Sequence, residues 1–294
     1  MTHLSDSDDF LHEPNERPDF RESYYFNWVD LGSGVSGFTT IGLLPNAKKR
    51  EFVFTLFYGK DLREAYWKEP GGEVPKDLDE ALTDGSLSYE LIKPMNDWKI
   101  SYQSKKMSAE ILWSGRFPCY DFGRGSGTSW VGHFEQSGKV KGKVTLSDGR
   151  QFTINGLGER DKSWGSRDWH IESWYALHAQ FDTISIGLRR DYVNGEYHAS
   201  GGISRKDGHI PITKVDLDTE FLEDRMPHAA ETKVYGEDGS CYTLKSKLIS
   251  DGSYVRFTRD FSGGTTELWE EMAIHECKEL DEKGTGLLEW LFTF

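Results

Sequence analysis

Hydrophobic and polar residues alternate along most of the chain in runs of about eight residues. These runs are rich in β-branched and aromatic residues, and a period of two with such residues predicts β-strands. Examples are GFTTIGLL (37–44), EFVFTLFYG (51–59), DWKISYQS (97–104), SAEILWSGRF (108–117) and WVGHFEQSGKVKGKVTLSDG (130–149). The same pattern continues through most of residues 173–280. We therefore expect fifteen to eighteen short strands.

Asp-Gly pairs separate many of these runs. They occur at 84–85, 148–149, 207–208, 238–239 and 251–252. Such pairs favour type I′ hairpin turns, so the strands should form antiparallel meanders. One short helix is expected within 76–85, and no fixed-period repeat is seen.

The strands are too many for one small barrel. The sequence predicts an all-β protein with two lipocalin-like antiparallel β-barrels, or a barrel and a sandwich, packed side by side. We place the domain boundary near residue 160, which gives domains 1–160 and 161–294.

Composition narrows the possible partners. The formal net charge of −14 disfavours nucleic acid and anionic membrane surfaces. The polar, acidic start has no apolar core of a signal peptide, and no apolar run reaches about 18 residues. Cys119, Cys241 and Cys277 show neither metal-site spacing nor a disulfide framework. We expect a cytoplasmic protein without a membrane span.

The segment GLGERDKSWGSRDWH (156–170) combines charges with tryptophans and makes a poor strand and a poor helix. Its glycines would let the backbone turn sharply, so that Asp161, Trp164, Arg167 and Trp169 converge on one cavity. One interpretation is that the two Arg-Asp pairs are ion pairs that join the domains. The other is an acid site, because a carboxyl group desolvated by tryptophan is a proton donor. Asp161 and Asp168 are then the candidate acids.

The segment SWVGHFEQ (129–136) places His133 and Glu135 on one face of a strand, with Phe134 and Gln136 on the other. The pair is compatible with acid–base chemistry, with metal binding, or with a satisfied buried polar pair. A metal site needs a third ligand at a recognisable spacing, which the sequence does not show. We predict no metal.

Two further strands carry candidate ligand-contacting residues. In SWYALHAQF (173–181), Tyr175 and Leu177 lie on a core face, whereas Trp174 and His178 lie on a mixed face typical of a barrel lumen or of an exposed surface. Near the start, Tyr24 and Trp28 belong to an aromatic run that fits either a ligand wall or a first strand over the core.

Familiar catalytic motifs are missing from the sequence. It has no G-x-S-x-G, P-loop, G-x-G-x-x-G or H-E-x-x-H motif, which argues against a serine hydrolase, an NTPase and a nicotinamide enzyme. We predict no cofactor.

The stretch ESYYFNWVD…GVSGFTTIGLLPN and the block at 133–169 resemble a two-domain bacterial family that is distantly similar to carotenoid 1,2-hydratases and AttH-like proteins. The resemblance implies two lipocalin-like barrels and cofactor-free hydration of an isoprenoid double bond. In such chemistry an aspartic acid protonates the alkene, and aromatic side chains shelter the carbocation. The matching positions are His133, Glu135, Gln136, Asp161, Trp164, Arg167, Asp168 and Trp169. Lys162 departs from the family pattern, which has histidine at that position.

The leading hypothesis is a cofactor-independent, acid-catalysed lyase or isomerase (a hydratase, dehydratase or cyclase) acting on a terpenoid or similar hydrophobic molecule through a carbocation-like intermediate. Asp161 is the first choice for the acid and Asp168 the second, while His133 and Glu135 handle water. The residues predicted to line the pocket are Tyr24, Trp28, Trp164, Arg167, Trp169, Trp174 and His178. The alternatives are a carrier of a lipid or hydrophobic metabolite and a structural or stress-related protein. A homodimer is left open.

Overall fold

The computed structural model describes residues 4–59, 62–123, 130–167, 172–222, 225–261 and 263–294. The chain divides into two compact units, Met1–Arg167 and Asp168–Phe294. Both units consist almost entirely of antiparallel strands, which confirms the predicted all-β class. None of the helices described has the length and hydropathy needed to cross a membrane.

The first unit is a curled, open sheet. Its nine-strand path runs β4-β3-β2-β1-β10-β9-β7-β6-β5, and the short β8 pairs with β9. Its helices are a 3₁₀-helix at Asp6–Asp9 and α1 at Leu78–Ala81, the latter within the predicted helical segment. Its strands are β1 (Phe20–Asp30), β2 (Val35–Leu44), β3 (Lys49–Tyr58), β4 (Leu62–Lys68), β5 (Leu87–Lys93), β6 (Asp97–Gln103), β7 (Met107–Gly115), β8 (Tyr120–Asp121), β9 (Gly132–Leu146) and β10 (Gln151–Ser166).

The concave inner face of this sheet carries the core of the first unit. Alternate residues of β1, namely Tyr24, Phe26 and Trp28, pack there with Phe52 and Phe54 of β3. Because successive side chains of a strand point to opposite faces, the intervening residues of β1 lie on the outer face. Both faces of the sheet are buried at its centre, so buried side chains lie on the inner face and on the outer face.

The second unit is a closed barrel. Eight strands run β16-β15-β14-β13-β12-β11-β19-β18, and residues 273–277 of β18 pair back onto β16, while β17 pairs with the rest of β18. The strands are β11 (Ser173–Gln180), β12 (Ser185–Val193), β13 (Glu196–Arg205), β14 (Gly208–Phe221), β15 (Pro227–Gly236), β16 (Cys241–Leu248), β17 (Tyr254–Phe261), β18 (Gly264–Cys277) and β19 (Glu282–Thr293).

Four of the five Asp-Gly pairs lie between elements as expected, and Gly208 of the fifth is the first residue of β14, but none of the pairs forms a type I′ turn. Type I′ needs positive φ at both central residues, and Gly149 and Gly239 have φ of 89° and 84° while their aspartates are not in that region. Both residues are left-handed at Asn194–Gly195, with φ of 53° and 82°, in the β12–β13 hairpin. The type I′ prediction for the Asp-Gly pairs is therefore wrong.

Candidate functional site

The charged segment that begins at residue 156 is a regular strand. Residues up to Ser166 belong to β10, which pairs with β1 on one side and β9 on the other. The prediction of a poor strand is wrong. Gly158 does not mark a sharp turn. A Cβ at this position would lie 1.9 Å from the Asn27 carbonyl oxygen, so the absence of a side chain allows β1 to lie close to β10.

Alternation along β10 separates the predicted cavity residues. Trp164 and Lys162 share the inner face, where the Lys162 Nζ lies 5.1 Å from the Trp164 ring centre. Asp161 and Ser163 lie on the outer face, linked by a hydrogen bond of 3.2 Å. The prediction that Asp161 and Trp164 converge on one cavity is therefore wrong, because the sheet itself lies between them.

The outer face instead joins Asp161 to the pair predicted on β9. His133 Nε2 lies 3.1 Å from Asp161 Oδ2 and 3.5 Å from Glu135 Oε1. The register explains this, because Asp161 is directly opposite Glu135 and Ser163 is opposite His133. The prediction that His133 and Glu135 share a face is confirmed. His133, Glu135 and Asp161 are called the outer-face cluster below.

Burial differs within the outer-face cluster. The side chains of His133 and Glu135 are 4% and 5% exposed, whereas that of Asp161 is 26% exposed. Neither ring nitrogen of His133 makes a hydrogen bond of good geometry within the described residues. The ring is thus packed between two carboxyl groups, and Asp161 is the member that a ligand reaches most easily.

Aromatic rings and an arginine surround the outer-face cluster. The Phe122 ring stacks on the His133 ring with centroids 4.6 Å apart, and Trp130 meets it edge-on at 4.5 Å. Arg167 Nη2 donates a hydrogen bond of 2.8 Å to the Ser163 hydroxyl, which itself contacts Asp161. Several residues predicted to line the pocket lie in the described part of the first unit. Among them, only Arg167 is linked to the outer-face cluster.

The same three side chains are a donor set suited to a divalent cation. One ligand atom from each of His133, Glu135 and Asp161 lies within 4.8 Å of the other two. The third ligand that the sequence did not show comes from a neighbouring strand, where spacing along the chain carries no signal. Imidazole and carboxylate ligands suit zinc and manganese, among other ions.

The inner face carries two buried ion pairs. Arg160 Nη1 binds Asp9 Oδ1 at 2.5 Å, and Arg160 Nε donates to Gln136 at 2.9 Å. Asp9 is fully buried in the 3₁₀-helix that precedes β1. Arg160 therefore pairs within its own unit, and not with the adjacent Asp161. The interpretation of Arg160 as one half of an inter-domain ion pair is therefore wrong.

Lys162 forms the second inner-face pair, with Glu22. His12 also binds Glu22, with Nδ1 and Oε1 2.8 Å apart, and its ring stacks on Trp164 at 3.8 Å. Burial alone would raise the pKa of Glu22, but Lys162 and the hydrogen bonds from His12 outweigh burial and hold the pKa below its ordinary value. The position where the family resemblance expects histidine thus belongs to this network.

The remaining predicted residues lie elsewhere. Tyr24 and Trp28 belong to the inner-face core, as the alternative interpretation proposed. In the second unit, Tyr175 lies inside the barrel, so Trp174 and His178 lie on its outer face and the lumen interpretation of that face is wrong. Asp168, Trp169 and His170 lie outside the described residues.

Sequence reasoning missed several residues of both faces. The sequence held a signal for Trp130, because this residue lies three positions before His133 along the chain. Glu22 had a signal as well, since it alternates with the core residues Tyr24 and Phe26 of β1. Asp9 had no such signal, because nothing in its segment indicates pairing with a residue 151 positions away.

Comparison with known proteins finds solved structures of the same fold. No curated protein sequence matches it significantly. The structure is similar to kievitone hydratase from Nectria haematococca, with a TM-score of 0.69 and 11% identity over 92% of this chain and 88% of that one. It is also similar to an AttH-like protein from Nitrosomonas europaea, with a TM-score of 0.66 and 14% identity over 96% and 92%.

A third similar structure is CghA with Sch210972, with a TM-score of 0.64 and 8% identity over 93% of this chain and 88% of that one. At these identities the likeness shows the fold, and it confirms the expected similarity to AttH-like proteins at that level. A family model described as "Domain of unknown function (DUF7064)" matches residues 5–293. The chain therefore belongs to the DUF7064 family.

Proposed function

We propose that the protein is an enzyme that adds or removes water, or rearranges a double bond, on a hydrophobic unsaturated molecule. The observation that carries the proposal is the outer-face cluster, in which His133 Nε2 lies 3.1 Å from Asp161 and 3.5 Å from Glu135. The fold shared with kievitone hydratase, which is a hydratase by its name, supports it. A terpenoid substrate follows from the resemblance to carotenoid 1,2-hydratases and is part of the proposal.

The exposure of the three side chains assigns their roles. Asp161 is the most exposed, so it delivers the proton that forms a C–H bond with one alkene carbon. The oxygen of water bonds to the other carbon, and the proton that this water loses returns to Asp161 through His133. Glu135 orients His133 and stabilises its charged form. Because the three groups are in contact, the proton belongs to the cluster and not to one residue.

Phe122 and Trp130 take the place of the tryptophans predicted to shelter the cation. Their rings contact His133 at 4.6 and 4.5 Å, on the same side of the sheet as Asp161. An aromatic face stabilises a nearby cation by about 2 kcal/mol when water is excluded. Trp164 is on the opposite face and plays no such part in the proposal.

The test is turnover of a panel of kievitone, monoterpene alcohols and linear isoprenoids in heavy water, followed by mass spectrometry. We expect one deuterium at carbon in the product. Asp161→Asn and His133→Gln should each lower the rate at least a hundredfold, in line with the usual contribution of one acid–base group. Asp168→Asn tests the second candidate acid, and Asp148→Asn, at an exposed turn, is the matched control.

Three outcomes would count against the acid–base proposal. Normal turnover in Asp161→Asn would remove Asp161 from the reaction. Loss of activity with a chelator, restored by zinc or manganese, would assign the outer-face cluster to a metal. Binding of panel compounds without turnover in any variant would favour the carrier of a hydrophobic metabolite. Cytoplasmic location and a homodimer remain predictions.

A further inference from the structure

The closed barrel of the second unit contains a carboxyl group that the proposed function does not use. Glu271 lies on β18, two residues before Ala273, which belongs to the barrel core. Alternation therefore points Glu271 into the lumen. Its side chain is fully buried, and among the described residues neither carboxyl oxygen has a hydrogen-bond partner.

This isolation contrasts with the buried carboxylates of the first unit. Asp9 is paired with Arg160, and Glu22 with Lys162. Buried polar atoms are paired in the great majority of cases, and an unpaired carboxyl group costs more than most. The isolation of Glu271 therefore calls for a group that the described residues do not supply.

Two indole groups lie next to this carboxyl group in the lumen. Trp269 and Trp290 are register partners on β18 and β19, they are 4% and 2% exposed, and their Nε1 atoms make no hydrogen bond within the described residues. Tyr175 is already satisfied, because its hydroxyl group lies 2.8 Å from Thr232 Oγ1 on a strand that is not its neighbour. Hydrogen-bond capacity near Glu271 is thus left on the carboxyl group and the two indoles.

One end of the barrel has an apolar rim. Phe221 and Leu222 at the end of β14, and Phe294 after β19, are 48–51% exposed. Phe221 contacts Phe292, at 6.1 Å between centroids, although β14 and β19 are not neighbours in the sheet. Large apolar side chains exposed together at a barrel mouth are typical of a binding surface.

We propose that this lumen binds a neutral apolar molecule with a terminal hydroxyl group, such as a long-chain or isoprenoid alcohol, which enters past the apolar rim and hydrogen-bonds to Glu271. The hydroxyl group both donates and accepts, which matches a carboxylic acid beside indole N–H donors. An anionic ligand fits poorly, because Arg256, which lies over Trp269 at 5.1 Å, is already paired with Glu267.

The surroundings of Glu271 keep it in the neutral form that this recognition requires. Burial raises its pKa to about 9. The titratable and charged groups on the packed elements are Tyr175 of β11, Tyr254 and Arg256 of β17, and, on β18 itself, Glu267 and His275, whose pKa burial lowers to about 3. Arg256 is a cation, but its partner is Glu267 and not Glu271.

The experiment is a titration of the full chain with decan-1-ol, decanoate and decane, followed by tryptophan fluorescence and calorimetry at pH 7. We expect decan-1-ol to bind about tenfold more tightly than decanoate or decane. Glu271→Leu should weaken decan-1-ol about tenfold and abolish its advantage over decane. Trp290→Phe should weaken it less.

Glu276→Gln is the matched control, because Glu276 lies on the same strand with an exposed side chain. The proposal is overturned if decan-1-ol produces no heat and no fluorescence change, or if Glu271→Leu binds it as tightly as Glu276→Gln does. Asp161→Asn should leave this binding unchanged, so failure here and failure of the proposed reaction are distinguishable.

Discussion

Glu271 makes the stability of the protein fall as the pH rises, and replacing it by glutamine should reverse the loss. In the folded protein its pKa is about 9 against an ordinary value of 4.5, and burial is the cause. Between pH 4.5 and about 9, the folded state therefore keeps a proton on Glu271 that the unfolded state has released. The contribution of this proton is complete below pH 4.5 and is lost progressively as the pH rises to about 9.

The size of the effect follows from the distance between the pH and the ordinary pKa. Each pH unit between 4.5 and 9 removes about 1.4 kcal/mol. At pH 7 the protein has thus lost about 3 kcal/mol of unfolding free energy, and at pH 8.5 about 5 kcal/mol. Glutamine has nearly the shape of the protonated acid, leaves the same polar atoms unpaired and does not titrate. Glu271→Gln should match the wild type at pH 4.5 and exceed it by about 3 kcal/mol at pH 7.

The assay is urea unfolding of both proteins at pH 4.5, 7 and 8.5, followed by near-UV circular dichroism, which reports the buried tryptophans of both units, Trp269 and Trp290 of the barrel among them. Glu276→Gln, on the same strand, should show no comparable dependence of its difference on pH. A Glu271→Gln difference that is constant across pH, or a variant less stable than the wild type at pH 7, would refute the reasoning. Either result would mean that Glu271 is ionised in the folded protein.

Two further predictions concern the inner face of the first unit. Asp9→Asn leaves the buried guanidinium of Arg160 without its carboxylate, so it should lower the unfolding free energy by about 3–5 kcal/mol in urea unfolding. The control, Asp6→Asn at an exposed position, should change the unfolding free energy by less than about 0.5 kcal/mol. Equal effects of the two variants would contradict the buried ion pair. Gly132→Ala would place a Cβ 2.3 Å from the Trp164 ring. The variant should therefore lower the unfolding free energy by about 1–3 kcal/mol and alter the tryptophan emission. An unchanged emission spectrum and stability would show that Trp164 does not lie against β9.

Local patterns in the sequence predict most of the fold. Alternation and β-branched residues indicate strands because a half-buried strand must present two different faces. β10 does not show this alternation, because Arg160 and Lys162 occupy the inner face, where apolar residues are expected. Their partners, Asp9 and Glu22, come from distant parts of the chain. A strand whose buried face is polar has no hydrophobic period to detect.

The candidate site was predictable only within a single strand. His133 and Glu135 share a face because they are two residues apart, and this needs no knowledge of the fold. Their contact with Asp161 depends on the register of β9 against β10, which is set by long-range packing. A shift of one residue would have turned Asp161 to the other face. Glu271 alternates with Ala273 in a recognisable strand, but its lack of a partner appears only when the barrel is closed.

The lysine at position 162 now has a physical interpretation. The family resemblance expects histidine there, next to Asp161 along the chain. Alternation along β10 points residue 162 to the inner face, where it pairs with Glu22, so a histidine there would lie beside Glu22 and not beside Asp161. The substitution therefore changes an ion pair of the inner face and leaves the outer-face cluster intact. The group that can exchange a proton with Asp161 is His133, 3.1 Å away on the paired strand.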